Sequence, residues 1–423
     1  MQNGSRRELA RELVLVISLA LMFGFVGLNR AGIGYVMPPI VQEFRLEYWQ
    51  AGLLVAGTSL GWAISAWLSG CVSDRLGRKN IYLIGMYGAA ALSGLVGLTW
   101  NFLSLFIVRD LLGLGDGVSL TTGQGTIAER TNPLRRALYQ GIFIGGYNLF
   151  GLSLGAFIIT HLATAFGWRW VFPLIGLAGA ILTTAMIFIL PRDLPASERQ
   201  AAGELTPSSF FKDVKEVFGV RGMAFSTAGF TLGLAWLGLH LAFSTLFLTR
   251  VRGYSLNDAG SLLALSSFIG LSGVLIVPAI ADSLGRKPAV ILAALVAGVG
   301  FLLFPLVALP EPVLLVLLTL SVLGTGGIFS LLGATVPSEL TPLRKGAAIG
   351  VSNLFAATLG ITISPIIGGA LADVFGLVVP LVLAGVFLVV IAPLMLAVPE
   401  TAPRVLARRG TTHPEAPQEA LPA

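Results

Sequence analysis

Apolar runs of about twenty residues follow one another along most of the chain. Each is long enough to cross roughly 30 Å of hydrocarbon at about 1.5 Å per residue. In lipid a backbone must satisfy its own polar groups, and over such lengths a single helix is the segment that does so. The runs are read as spans at about 13–38, 49–72, 81–99, 102–127, 138–164 and 170–190, then 222–248, 259–281, 289–309, 313–335, 347–371 and 377–398. Of the 423 residues only 11% are charged, against about 25% in an ordinary soluble domain. That is too little polar surface to face water on all sides. The 52 glycines would weaken soluble helices, whereas in lipid they let helices approach closely. The expected class is an all-α integral membrane protein of twelve transmembrane helices.

Lys and Arg set the expected orientation. With the N-terminus inside, cytoplasmic segments hold 21 of the 27. The outer loops hold four (Arg45, Arg169, Arg250 and Arg252), and Arg30 and Arg109 lie within spans. Both termini are expected in the cytoplasm, in a bacterial-type inner membrane. The net charge of +6 is then a matter of topology, and no nucleic-acid partner is expected. The first span follows Arg6, Arg7 and Arg11 like a signal peptide, but it is too long for one and contains Asn29 and Arg30. It is expected to be retained. The division is a tail at 1–12, a six-helix bundle at 13–190, a charged central loop at 191–221, a second bundle at 222–398 and a Pro-, Ala- and Arg-rich tail at 399–423, expected to be disordered. A single cysteine, Cys71, excludes an intrachain disulfide.

The chain repeats itself. Residues 70–80 read Gly-Cys-Val-Ser-Asp-Arg-Leu-Gly-Arg-Lys-Asn, and residues 278–288 read Pro-Ala-Ile-Ala-Asp-Ser-Leu-Gly-Arg-Lys-Pro, each just after the second span of its half. The segment beginning at Glu129 after the fourth span is echoed by one beginning at Glu339 after the tenth, and Asn148-Leu149-Phe150 by Asn353-Leu354-Phe355. Two halves of like order imply a duplicated bundle with a cavity between. The Asp-Arg-x-Gly-Arg-Lys loop and its echo resemble the signature loop of the major facilitator superfamily over about residues 10–400. The resemblance implies two pseudo-symmetric six-helix bundles and a gating role for Asp74, Arg75, Gly77 and Arg78, with Asp282 and Arg286 in the second half.

Charge inside lipid costs about 2.5–3.5 kcal/mol on insertion scales and needs a reason. The first half holds Arg30, Arg109, Asp110 and Asp116 within its spans; the second has His240 as its nearest ionisable group. Arg30 and Arg109 fall at similar depth, and guanidinium forks bind carboxylates or phosphates. An anionic substrate follows. Asp116 lies two turns from Arg109 on the same face, and a carboxylate out of water can take up a proton. Asp110 points about 100° away and is the second proton-coupling candidate. Asn29-Arg30 and Arg109-x-x-x-Gly113-x-x-Asp116 resemble the anion:cation symporter branch. By that resemblance Arg30 and Arg109 hold the substrate carboxylate and Asp116 takes the proton. Asn29 departs from it, since an acid is usual there.

Tyr147, Asn148 and Asn353, at duplicated positions, Trp62 in the second span, and Trp236 with His240 (one face of the seventh) complete the substrate-site candidates. For each, packing or a bond to another helix is the competing reading. No phosphate-binding Gly-rich loop and no His/Cys cluster is present, so ATP-driven pumping, cofactors and metals are not expected. The function expected is symport of a small organic anion, a carboxylate or sugar acid, by a monomer in the lipid bilayer. H⁺ is the expected coupling ion, with Na⁺ open. The alternatives are a drug/proton antiporter of the same fold, a non-transporting receptor, and an enzyme pairing Asp116 with His240, disfavoured because the two lie in opposite halves.

Overall fold

The apolar runs become helices. The computed structural model describes residues 2–132, 135–191, 193, 214–341 and 345–409, with the side chains at 2–7, 60, 63, 66–68, 70–76, 137, 345–347 and 409 outside the described residues. Six spans form the first half. They are span one (Gln2–Tyr35), two (Tyr48–Leu76), three (Arg78–Val96), four (Phe102–Arg130), five (from Arg136–Tyr147 to Leu154–Phe166) and six (Trp168–Ile189). The second half holds span seven (Met223–Arg250), eight (from Leu256–Gly270 to Gly273–Leu284), nine (Arg286–Leu306), ten (from Glu311–Ser330 to Val336–Leu340), eleven (from Lys345–Phe355 to Ile363–Phe375) and twelve (Val378–Leu396). Among the described residues nine of these are long and apolar enough to cross a membrane. Spans two, three and four are the others, and span four carries Arg109, Asp110 and Asp116. Large apolar side chains cover the outside: Phe188 is 84% and Leu275 77% exposed. In water such a belt would drive aggregation, and lipid is the solvent that suits it.

Three spans widen locally into π-turns: Asn148–Ser153 in span five, Leu331–Thr335 in span ten and Ala356–Thr362 in span eleven. Each has the same internal support. A hydroxyl donates to the carbonyl five residues back, from Ser153 to Asn148 (3.2 Å), Thr335 to Ser330 (3.2 Å) and Thr362 to Ala357 (3.1 Å). The wide turn loosens the ladder, and the hydroxyl occupies the freed carbonyl. Spans five and eleven are counterparts, so the duplication extends to the irregularity.

An even number of spans puts both termini at one end of the molecule. There each half is tied by the same device. Gly77 and Gly285 precede spans three and nine with φ of 102° and 113°, a region that favours glycine. Asp193, following span six, accepts the Lys79 amide at 2.9 Å. Glu400, following span twelve, accepts the Arg286 amide at 2.8 Å. Lys79 Nζ donates to the carbonyls of Ile187 and Leu190, and Lys287 Nζ to that of Leu396. Arg78 pairs with Glu129 at 2.8 Å, and Arg286 with Glu339 at 3.0 Å and Asp282 at 2.5 Å. Anion on a helix start, cation on a helix end and an Arg–Glu clamp thus recur twice. Of the tail expected to be disordered, residues 403–409 are helical, following Glu400 and Thr401, which anchor the chain, and residues 410–423 lie outside the described residues. The Thr401 hydroxyl donates to Glu339 at 2.6 Å. Span one also ends earlier than read: Val36 breaks it, and a short helix, Met37–Phe44, follows.

At the far end the halves meet backbone to backbone. A Cβ on Gly34 would collide with the Leu241 carbonyl, one on Gly52 with that of Pro365, and one on Gly369 with that of Tyr48. Asp373 accepts from the Tyr48 and Trp49 amides, and Thr164 donates to Asn257. These seams pair span one with seven, two with eleven and five with eight.

Candidate functional site

Arg30 lies one helical turn before Gly34, beneath the far-end seam. Its Nη2 donates to Ser59 Oγ at 3.2 Å, and its guanidinium stands 4.5 Å from the centre of the Trp62 ring. Both side chains are partly exposed. Spans one and two thereby bring together a cation, an aromatic plate and a hydroxyl. The Trp62 indole N–H has no partner. The guanidinium is partly exposed and the indole nitrogen buried, and among the described residues no carboxylate makes a hydrogen bond to either.

Arg109 sits behind it and is completely buried. Its Nη1 donates to the Asn29 carbonyl at 2.7 Å and its Nη2 to the Arg30 carbonyl at 3.4 Å, with the Phe172 ring 5.5 Å away. The guanidinium therefore grips the backbone of span one at the residue that carries the exposed cation. Asp116 is also completely buried, within electrostatic reach of Arg30 and Arg109. Asp116 makes no direct pair with Arg109: neither carboxylate oxygen has a hydrogen-bond partner. The physical reason is competition, since the nearer acceptors for Arg109 are the carbonyls of span one. The Asn29 amide faces Asp116 without closing a bond, while its Oδ1 accepts from Ser93 at 2.8 Å. Unpaired buried groups of this kind cost about 1–3 kcal/mol each. Here Asn29 Nδ2, Arg109 Nε and both Asp116 oxygens share one neighbourhood. Such a concentration of unsatisfied groups is unusual in a folded interior and singles this place out.

The other candidates lie elsewhere. Asp110 sits at the crossing with Gly61 of span two, and its Oδ1 is unpartnered. Tyr147 leans on Phe23 at 5.3 Å between ring centres, and Asn148 opens the π-turn of span five. The Asn353 amide donates to the Gly333 carbonyl at 3.0 Å and the Ile349 carbonyl at 2.8 Å, fastening span eleven to span ten. Trp236 and His240 stack at 5.1 Å and 4°, and both abut Phe301 of span nine. The His240 Nδ1 partner is Ser244 of the same span, at 2.7 Å, rather than another helix. These two residues belong to the core of the second half. Of the residues expected to gate, Gly77, Arg78, Asp282 and Arg286 lie in the terminus-end ties; the side chains of Asp74 and Arg75 lie outside the described residues.

Sequence reading passed over Ser59, Ser93, Asp193, Glu400 and Asp373. Asp193 and Glu400 left a faint trace, an acid soon after Pro191 and Pro399 at the ends of spans six and twelve. Ser59, Ser93 and Asp373 left none.

The chain is 28% identical over 284 residues to a hexuronate transporter of Bacillus subtilis, covering 65% of each chain. A 4-hydroxybenzoate transporter of Acinetobacter baylyi is 32% identical over 184 residues, 43% of this chain and 40% of that one. The chain thus spans less than two thirds of the length of these curated relatives. A chloramphenicol resistance protein of Acinetobacter baumannii is 29% identical over 83% of this chain and 85% of its own. Among solved structures, an inward-facing, unoccupied bacterial homolog to the human lysosomal transporter Spinster superposes with a TM-score of 0.77 at 18% identity, covering 92% of this chain and 97% of that one. That likeness concerns the fold. The family model of the Major Facilitator Superfamily matches residues 19–360, and it meets here the two matched six-span halves, the duplicated Gly-Arg-Lys ties and the helices suited to lipid: the chain is a multi-pass membrane protein of the Major Facilitator Superfamily.

Proposed function

We propose that the protein is a secondary transporter that carries a small organic carboxylate with a proton, by alternating access between its two halves. The observation that carries this reading is the Arg30–Trp62–Ser59 surface with a buried Arg109 and an unpaired Asp116 behind it. The carboxylate of the substrate binds Arg30 and takes the free indole N–H of Trp62. Arg109 acts as a positioning residue. By holding the carbonyls of Asn29 and Arg30 it fixes where the exposed guanidinium points, and it adds a second positive charge nearby.

Asp116 supplies the coupling. Ionised, it offsets one of the two guanidinium charges; protonated, it leaves both to the anion. Proton and substrate therefore raise each other's affinity, and linkage makes that effect reciprocal. Relatives named for hexuronate and 4-hydroxybenzoate, both carboxylates, support an anion of this class. The Lys and Arg bias supports placement in a bacterial-type inner membrane with the termini in the cytoplasm, and the far-end seams then seal the outer side. The charges of Asp282 and Arg286, with those of Arg78, Asp74 and Arg75, belong to the inner gate. Efflux of a neutral drug is a second reading, supported by the chloramphenicol resistance relative.

The test is thermal stabilisation of the purified protein by a panel of organic anions, cations and neutral drugs. A ligand that binds the folded state raises Tm by mass action. We expect an aryl or sugar carboxylate to stabilise the native chain and Arg30→Ala to remove the effect. Stabilisation by neutral drugs or hydrophobic cations, unchanged in Arg30→Ala, would refute the anion reading and favour efflux.

A further inference from the structure

The first amides of a helix have no acceptors within it. At the start of span two, the Tyr48 and Trp49 amides donate to Asp373 Oδ1 at 2.7 Å and Oδ2 at 3.0 Å. Asp373 belongs to span eleven, in the opposite half. Its carboxylate caps the helix in trans, against the positive end of the helix dipole. The same stripe of span eleven carries Gly369, pressed on Tyr48 and Trp49, and Pro365, whose carbonyl meets Gly52. Residues 365, 369 and 373 lie four apart, so one helical face presents a tight backbone contact that ends in a charged cap.

The counterpart seam is built otherwise. Asp373 and Thr164 each stand three residues before the positive-φ glycine that ends its span, Gly376 and Gly167. Thr164 meets span eight through a neutral bond to Asn257 Oδ1, 2.8 Å long. Span eight also caps itself: Ser255 Oγ accepts from the Asp258 amide at 3.1 Å. When the halves part, span eight keeps its cap and span two gives its own up to water.

We infer that Asp373 is a latch that holds the far end of the transporter closed and biases it toward the state open at the terminus end. This rests on the alternating-access reading. A helix cap of this kind is worth roughly a fivefold shift in population. The test uses the full chain in lipid nanodiscs with Cys71→Ser and spin labels at Trp100→Cys and Glu311→Cys, exposed positions at the far end of opposite halves, one in a loop and one at the start of span ten. Pulsed electron paramagnetic resonance then gives the distance distribution. Asp373→Ala is expected to raise the ratio of the long-distance to the short-distance population about fivefold. Asp373→Asn, which keeps an acceptor but no charge, is expected to give less, and Thr164→Ala little. Two populations whose ratio Asp373→Ala leaves unchanged overturn the latch and leave alternating access standing. One unchanging population in every variant, at all pH values and with or without bound carboxylate, overturns the alternating-access reading and the latch with it.

Discussion

The two halves agree at the terminus end and part company within the membrane. At that end Gly77, Arg78 and Lys79 do what Gly285, Arg286 and Lys287 do, with Asp193 and Glu129 matched by Glu400 and Glu339. In the interior the first half buries Asn29, Arg109 and Asp116 beside Arg30, whereas the second packs Trp236 and His240 against Phe301. The difference teaches where each property resides. Ties that keep a six-helix bundle together are needed twice, and both copies retain them. Charge in lipid is expensive, so it stands where it has a task, in one half. We read the first half as the chemical half and the second as its apolar counterpart.

The strongest attempt to break this comparison is Asp116→Asn. We expect proton-driven accumulation of the carboxylate to be lost while substrate exchange persists. If accumulation survives in reconstituted vesicles, the coupling group lies elsewhere. Next comes Arg109→Ala, which strands two carbonyls of span one and a buried carboxylate. A loss of about 3 kcal/mol or more in stability is expected from such an uncompensated buried site, read as a drop in Tm, with Arg109→Lys recovering part. Arg30→Ala should behave in the opposite manner, with Tm lowered by under about 1 kcal/mol equivalent and carboxylate binding weakened by at least about tenfold. Identical behaviour of the two arginines would erase the distinction between binding and positioning.

A smaller effect compares the ties. Glu339 meets Arg286 and Thr401 with 17% of its side chain exposed, whereas Glu129 is 37% exposed. Glu339→Gln should therefore cost more than Glu129→Gln, about 1–2 against under about 1 kcal/mol, by thermal unfolding in matched detergent. The smallest change is expected for His240→Phe, which keeps the stacked ring and loses one bond within its own helix. Uptake should stay within about twofold and Tm within about 1 kcal/mol equivalent. A collapse of uptake would give the second half a chemical role that its packing denies.

Much of this was readable from residues alone. Span number, the two-fold repeat and the membrane class follow from run length and echo, because burial in lipid leaves a one-dimensional record. The polar group in span four was visible for the same reason, since charge inside an apolar run stands out. Its inner arrangement was not. Arg109 and Asp116 share a helical face two turns apart, which places them in one neighbourhood but does not fix their partners. The carbonyls of Asn29 and Arg30, about eighty residues away in sequence, are the acceptors that Arg109 takes. Backbone acceptors leave no trace in residue identity. For the same reason spacing left Trp236 and His240 open between a site face and packing, and the structure adds the contact of both with Phe301 of span nine.

By itself, then, the sequence determined that the chain lies in lipid, that it is doubled, and that the ionisable residues inside its apolar runs fall, His240 apart, in one half. Tertiary structure alone decided which guanidinium is partly exposed and which is buried, that Asp116 makes no hydrogen bond, and that Asp373 caps a helix in the other half. The first set depends on composition and spacing along a helix. The second depends on which atoms distant segments bring within about 3 Å of one another, and that is fixed when the helices pack.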